Sequence, residues 1–242
     1  MNPKLYFIIL FIVLVSCKSK DQFPEKKSER ISVDNTSVTQ KDNCEHGPFE
    51  GLFTFVTQFD TQDSAFDLQV FKDKYNQFYA DNKKVIYDSP ALPAWIEING
   101  LLLELTSEAK YAQELEEISV NEKMTDYIQP FVFTRSVDHI YVNLFKPAEI
   151  NYQHSLGGDV TIRQETTYPE SGSVRLHFGM TERQYIELNI RIPEWAEGTH
   201  VEVKGVKYFT KPGSFCFIGK KWKDGDLVEI EFPIENYQTR IH

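Results

Sequence analysis

From Ile186 to Gly198 the chain reads IELNIRIPEWAEG. Ile186, Leu188, Ile190 and Ile192 take every second position, with Glu187, Asn189 and Arg191 between them. A period of two, apolar on one side and polar on the other, is the pattern of a strand with one face on a core. Three further stretches repeat it. Ile140, Val142 and Leu144 alternate with Tyr141 and Asn143; Val174, Leu176 and Phe178 with Arg175 and His177; Val228, Ile230 and Phe232 with Glu229 and Glu231. Turn signals stand between these runs at Gly157-Gly158, Ser171-Gly172, Gly198, Gly205, Pro212-Gly213 and Asp224-Gly225. Short strands at regular spacing predict an antiparallel β-sandwich of about eight strands over residues 137–242.

Residues 49–136 read as helical. Leu68, Phe71, Tyr75, Phe78 and Tyr79 recur at spacings of three and four, which places them on one face of a helix. Aromatics in that pattern line a core more often than they form a sugar platform. A short strand is expected at 54–59. After Pro93 a second helical stretch runs to about Glu117, with Ile98, Leu101, Leu102, Leu105, Ala109, Ala112 and Leu115 as its buried stripe. Glu104, Glu108, Lys110, Gln113 and Glu116 fall on the wet side. Gly100 costs such a helix about 1 kcal/mol against alanine, and Thr106-Ser107 suggests two helices meeting at a corner. Two or three helices followed by a sandwich make the class α+β, mostly β.

The first residues address the envelope. Lys4 precedes an apolar run from Leu5 to Val15, too short for the roughly 20 residues that span a bilayer and suited to a signal peptide. Leu14-Val15-Ser16-Cys17 has the form of a bacterial lipobox, so residues 1–16 are expected to be removed and Cys17 diacylated. Several acyl chains, at about 0.8 kcal/mol per buried CH₂, would hold the protein to a membrane. Residues 17–48 are a polar tract with few apolar groups, expected to act as a disordered tether.

Loss of Lys4 with the signal takes the formal charge from −10 to −11. An acidic protein is poorly suited to nucleic acid or to an anionic membrane surface. Beyond Cys17 there are only Cys44 and Cys216. The envelope permits a disulfide between them; Cys216, inside a strand, reads as a small buried hydrophobe.

Four phrases carry more than a pattern: YVNLF at 141–145, RQETTYP at 163–169, RIPEWA at 191–196 and WKDGD at 222–226. In this order and spacing they resemble the β-sandwich that follows the catalytic barrel in glycoside hydrolase family 127, the β-L-arabinofuranosidase-like enzymes. The resemblance implies a sandwich that supports a helical barrel, and a zinc-bound cysteine nucleophile with a glutamate acid/base in that barrel. Zinc serves there by keeping a thiolate at neutral pH. LELTSEAKYAQELE at 102–115 is similar to one of the family's barrel helices, and that alignment puts Asp88 near the acid/base position and Pro90 near the nucleophile. No cysteine stands between 45 and 215, and MTDYIQPFVF occupies the place of the family's C-C pair, expected near Thr125 to Pro130. No zinc, other metal or cofactor is therefore expected.

Other chemistry finds little support. Asp88, Glu97, Glu149, Glu165 and Glu170 include no two that the sequence pairs in the manner of a glycosidase. The six histidines show no metal-ligand spacing. Tyr168, Trp195 and Trp222 are the candidates for stacking on a sugar ring; the alternatives are strand-end packing for Trp195 and a covering role in a hairpin for Trp222. The sequence thus frames three readings. One is an envelope lipoprotein, non-catalytic, whose sandwich is accessory to carbohydrate or to another envelope protein. The others are a truncated hydrolase without independent function, and a glycosidase acting on arabinofuranosides.

Overall fold

The computed structural model describes residues 67–89 and 92–234. Cys17, Cys44, the signal and tether segments and the strand expected at 54–59 lie outside them. The chain divides into two compact units, one ending at Trp95 and one beginning at Ile96.

In the first unit, α1 (Leu68–Tyr87) starts at Asp67, whose Oδ1 accepts from the backbone N–H groups of Gln69 (2.9 Å) and Val70 (3.1 Å). Such a cap satisfies N–H groups that have no partner inside the helix. The aromatic stripe is core: Phe71 and Tyr75 are buried, and Tyr75 stacks on Trp95 at 4.7 Å. Tyr79 stacks on the same indole at 5.8 Å. The unit boundary falls within α2 (Leu92–Thr106).

The expected corner is present. Helix α2 ends at Thr106 and α3 (Ala109–Ile118) follows. The Thr106 hydroxyl donates to the Leu102 carbonyl (2.7 Å) and accepts from the Glu108 N–H (3.1 Å), while Ser107 takes a left-handed φ of 52°. A threonine that bonds its own backbone on both sides competes with the helix and ends it. The stripe differs from expectation at Leu105, which is 43 % exposed because the helix stops one residue later. Gly100 has a packing reason that composition did not show: a Cβ there would stand 2.1 Å from the Phe131 ring. Phe131 closes a run of short turns, Glu122–Met124, α4 (Thr125–Ile128) and Gln129–Phe131, that leads to the sheets.

Among the described residues ten strands form two sheets: β1 (Phe133–Ser136), β2 (His139–Val142), β3 (Ala148–Gln153), β4 (Asp159–Thr166), β5 (Ser173–Met180), β6 (Gln184–Ile192), β7 (His200–Val203), β8 (Val206–Tyr208), β9 (Ser214–Trp222) and β10 (Leu227–Glu231). The four-stranded sheet has the order β1-β2-β6-β9 and the six-stranded sheet β3-β4-β5-β10-β7-β8. Every pairing is antiparallel except β2 with β6. The sheeted region begins at Phe133, a few residues before the expected boundary at 137, because β1 pairs with β2.

The alternation seen in the sequence is the alternation of burial. Ile186, Leu188, Ile190 and Ile192 are fully buried, as are Ile140, Val142, Val174, Leu176 and Val228. Trp222 on β9 stacks face to face on Phe178 of β5 at 4.1 Å, so the two sheets meet in one core. The WKDGD phrase is a β9–β10 turn: Gly225, at φ 74°, donates to the Phe178 carbonyl (2.9 Å). Asp226 is buried beneath it and receives the Lys223 N–H, with Lys204 and Lys220 as ion partners. Burial alone would raise the Asp226 carboxyl; the Lys204 hydrogen bond, the Lys223 N–H and Lys220 outweigh it and hold it below the usual range.

Candidate functional site

Two of the three aromatic candidates come together where α3 meets the sandwich. Tyr168 and Trp195, both half-buried, lie nearly parallel with centroids 6.4 Å apart. Phe232 packs against both, at 5.9 and 6.1 Å, and Phe145 joins it at 4.6 Å. The Tyr168 hydroxyl donates to Glu116 Oε1 at 2.7 Å, and the other oxygen of that carboxylate is 2.9 Å from Arg191 Nη2.

Arg191 is the centre of this seam. It sits between Ile190 and Ile192 on β6 and so points away from the sandwich core, yet its side chain is only 1 % exposed. Its Nε donates to the Asn143 carbonyl (2.6 Å), and its guanidinium lies 5.5 Å from the Phe145 ring centroid. Asn143 in turn donates to the Phe131 carbonyl and to Thr134. YVNLF, TTYP and RIPEW therefore share one polar and aromatic joint to the helix. Glu116, expected on the wet side of its helix, is instead the buried anion of this joint, 11 % exposed. A buried arginine needs a counter-charge, but no local pattern selects the glutamate that supplies it.

Trp222 lies elsewhere. It is fully buried, and its indole N–H donates to the Ile186 carbonyl (3.1 Å), so it has no face to offer a ligand. Asp88 is exposed at the end of α1, in the first unit. Glu149 and Glu165 both line an open depression of about 730 Å³ on the six-stranded sheet, beside Arg163 and Arg175. Glu165 is paired with Arg163 (2.8 Å) and His177 (3.0 Å), and Glu149 accepts from Asn151 (2.7 Å). Both carboxylates are thus held by solvent-exposed partners. Glu97 on α2 differs: burial, reinforced by Glu104, raises its carboxyl to about 7.

A serine, a histidine and an aspartate gather at the β1–β2 and β3–β4 turns without forming a nucleophile. Ser155 Oγ and N–H both donate to Asp138. The Nδ1 of His154 accepts the Leu156 N–H (3.1 Å), and its Nε2 faces the Tyr185 carbonyl at 2.9 Å. With one ring nitrogen taken by a backbone donor and the other by a backbone acceptor, the imidazole has no site left to accept a proton from Ser155. The group is a clasp between two turns and β6.

The cysteine chemistry implied by the resemblance does not fit the residues present. Cys216 is buried on β9 and burial pushes its thiol up to about 11, which keeps it protonated at neutral pH. Among the described residues no three His, Cys, Asp or Glu side chains are placed to hold a metal ion.

Comparison with known proteins bears on the same segment. Residues 139–234 match the family model for the GH127 middle domain of β-L-arabinofuranosidase. No curated protein matches the chain. Among solved structures, a GH127 β-L-arabinofuranosidase from Geobacillus stearothermophilus T6 is 22 % identical with a TM-score of 0.51, covering 60 % of this chain and 31 % of its own. A second GH127 β-arabinofuranosidase is 21 % identical (TM-score 0.52, 59 % and 31 %), and a structure described as a glycoside hydrolase is 23 % identical (0.50, 57 % and 31 %). The chain thus spans about a third of the length of these proteins, and identities this low speak for the fold alone. The segment from His139 to Ile234 therefore matches, in sequence and in fold, the middle domain of the GH127 β-L-arabinofuranosidases.

Proposed function

We propose that this chain is a membrane-anchored, non-catalytic β-sandwich module associated with carbohydrate, accessory to glycan breakdown. The observation that carries this is the seam. Arg191 is ion-paired with Glu116, which also accepts from Tyr168, so the sandwich carries its own helical buttress. A domain that matches the middle part of a hydrolase and satisfies its own buried charges is suited to stand as a module. The non-catalytic part of the reading rests on the thiols: Cys216 is protonated and enclosed in β9. The anchor rests on the lipobox at Cys17.

One experiment addresses both parts. The full chain is incubated with a chromogenic β-L-arabinofuranoside in the presence of zinc and reductant, and its melting temperature is followed against arabinose-containing oligosaccharides. An upward shift without turnover is expected, since a ligand that binds only the native state stabilises it. Turnover by the wild-type chain would overturn the non-catalytic reading, and its loss in Cys216→Ser would place the chemistry at that thiol. For the anchor, wild-type protein is expected in the detergent-rich phase and Cys17→Ser in the aqueous phase; equal partition would remove that claim.

A further inference from the structure

Among the described residues, α3 covers one end of the outer face of the four-stranded sheet. Glu116 of α3 reaches Arg191 there, while Tyr185, Glu187 and Asn189 continue the same face of β6 toward solvent. Tyr185 is 46 % exposed and Phe217, on the neighbouring β9, 53 % exposed. Both rings converge on Gly219: a Cβ at that position would lie 2.6 Å from the Tyr185 hydroxyl and 2.8 Å from the Phe217 ring. The glycine thus leaves two rings lying low across the strand, one from each side.

We propose that this open end of the face is a glycan-binding platform, with Tyr185 and Phe217 as its stacking rings and Glu187 as its hydrogen-bonding centre. The proposal rests on the carbohydrate-associated reading above and gives it a location. A sugar ring has apolar C–H faces and a belt of hydroxyls, so it needs aromatic faces beside exposed hydrogen-bonding groups. The register supplies that alternation. Glu187 stands opposite Gly219, between the two rings, and Asn189 stands opposite Phe217. The Glu187 carboxylate is 3.2 Å from His139 on the parallel neighbour β2 and 3.4 Å from the Tyr185 hydroxyl. It is therefore oriented, and still a quarter exposed. A carboxylate held in the middle of the platform disfavours an anionic membrane surface, and a charged centre is unlike the charge-depleted core of a stable protein interface. The rings also shield the strand backbone at Gly219, a structural task that by itself asks for no ligand.

The test is calorimetric titration of the full chain with arabinohexaose, with cellohexaose in parallel, and a thermal melt of each variant. Wild-type protein is expected to bind arabinohexaose, and Tyr185→Ala and Phe217→Ala each to bind it about tenfold more weakly. Tyr185→Phe keeps the ring and should keep most of the binding, which separates a stacking role from damage to the fold. Wild-type binding that survives both alanine variants would overturn the platform and leave the carbohydrate-associated reading in place. If neither glycan binds the wild-type chain, the platform and that reading fall together. Loss of melting temperature without loss of affinity would reduce both rings to covers for Gly219.

Discussion

Replacing Glu116 by glutamine tests the account of the seam most directly. The change keeps size but turns one of two acceptor oxygens into an NH2 donor and leaves the Arg191 guanidinium, 1 % exposed, without its counter-charge. Removing one partner of a buried pair costs about 3–5 kcal/mol, because the remaining charge stays out of water. For a folded unit of this size that is a fall in melting temperature on the order of 10 °C. Lys110 and Glu108 provide an internal control: they pair at 3.2 Å, but their side chains are 46 % and 36 % exposed. Glu108→Gln should therefore change stability by less than about 1 kcal/mol. Urea denaturation of both variants beside the wild type measures the difference. The double replacement Glu116→Leu with Arg191→Met, which leaves no stranded charge, should recover much of the loss. If Glu116→Gln costs no more than Glu108→Gln, the joint is a solvated contact and the claim that the helix is fixed to the sandwich by buried charge fails.

Three other outcomes follow from the geometry. Gly100→Ala should destabilise by about 1–3 kcal/mol, since the new methyl meets the Phe131 ring, although helix propensity alone favours alanine by about 1 kcal/mol; a thermal melt decides which effect wins. Cys216, with its thiol at about 11, should resist alkylation in the native chain and react once the chain is unfolded in urea, as read by peptide mass; fast native labelling would contradict its burial. The Glu97 carboxyl, raised from 4.5 to about 7, is protonated in folded and unfolded chains alike below pH 4.5, so it costs nothing there. As pH rises through 7 the unfolded chain gains from ionising it and the folded chain resists, a penalty of at most about 3 kcal/mol. Glu97→Gln should accordingly raise the melting temperature at pH 8 and leave it unchanged at pH 4.

What could be read from the sequence was whatever depends on local periodicity. The period-two runs at 140–144, 174–178, 186–192 and 228–232 became strands because one face of each had to leave water, a condition written residue by residue. The corner at Thr106-Ser107 was equally local, set by a hydroxyl that bonds its own backbone. Strands such as β3 and β8 carry weaker signals: β3 is half-exposed on alternate positions and fully buried on none, and β8 has three residues at a sheet edge. They exist through pairing with β4 and β7, which periodicity does not report.

The seam and the platform illustrate a different limit. Arg191 reads as the polar partner of an alternating strand, and Glu116 as the wet face of a helix; each assignment is locally correct. Only the packing of α3 across the outer face of β6 turns both into buried residues and makes them partners. The same covering decides the fate of the residues beside Arg191 on that strand. Where the helix reaches, the outward positions become a joint held by charge; where it stops, Tyr185 and Phe217 remain exposed with Glu187 half-buried between them. One strand face is thus divided by a helix end into a structural half and a half that faces solvent. The NLF, TTYP and RIPEW stretches gather at the covered half, whereas the residues proposed to bind a glycan stand just before RIPEW on the same strand.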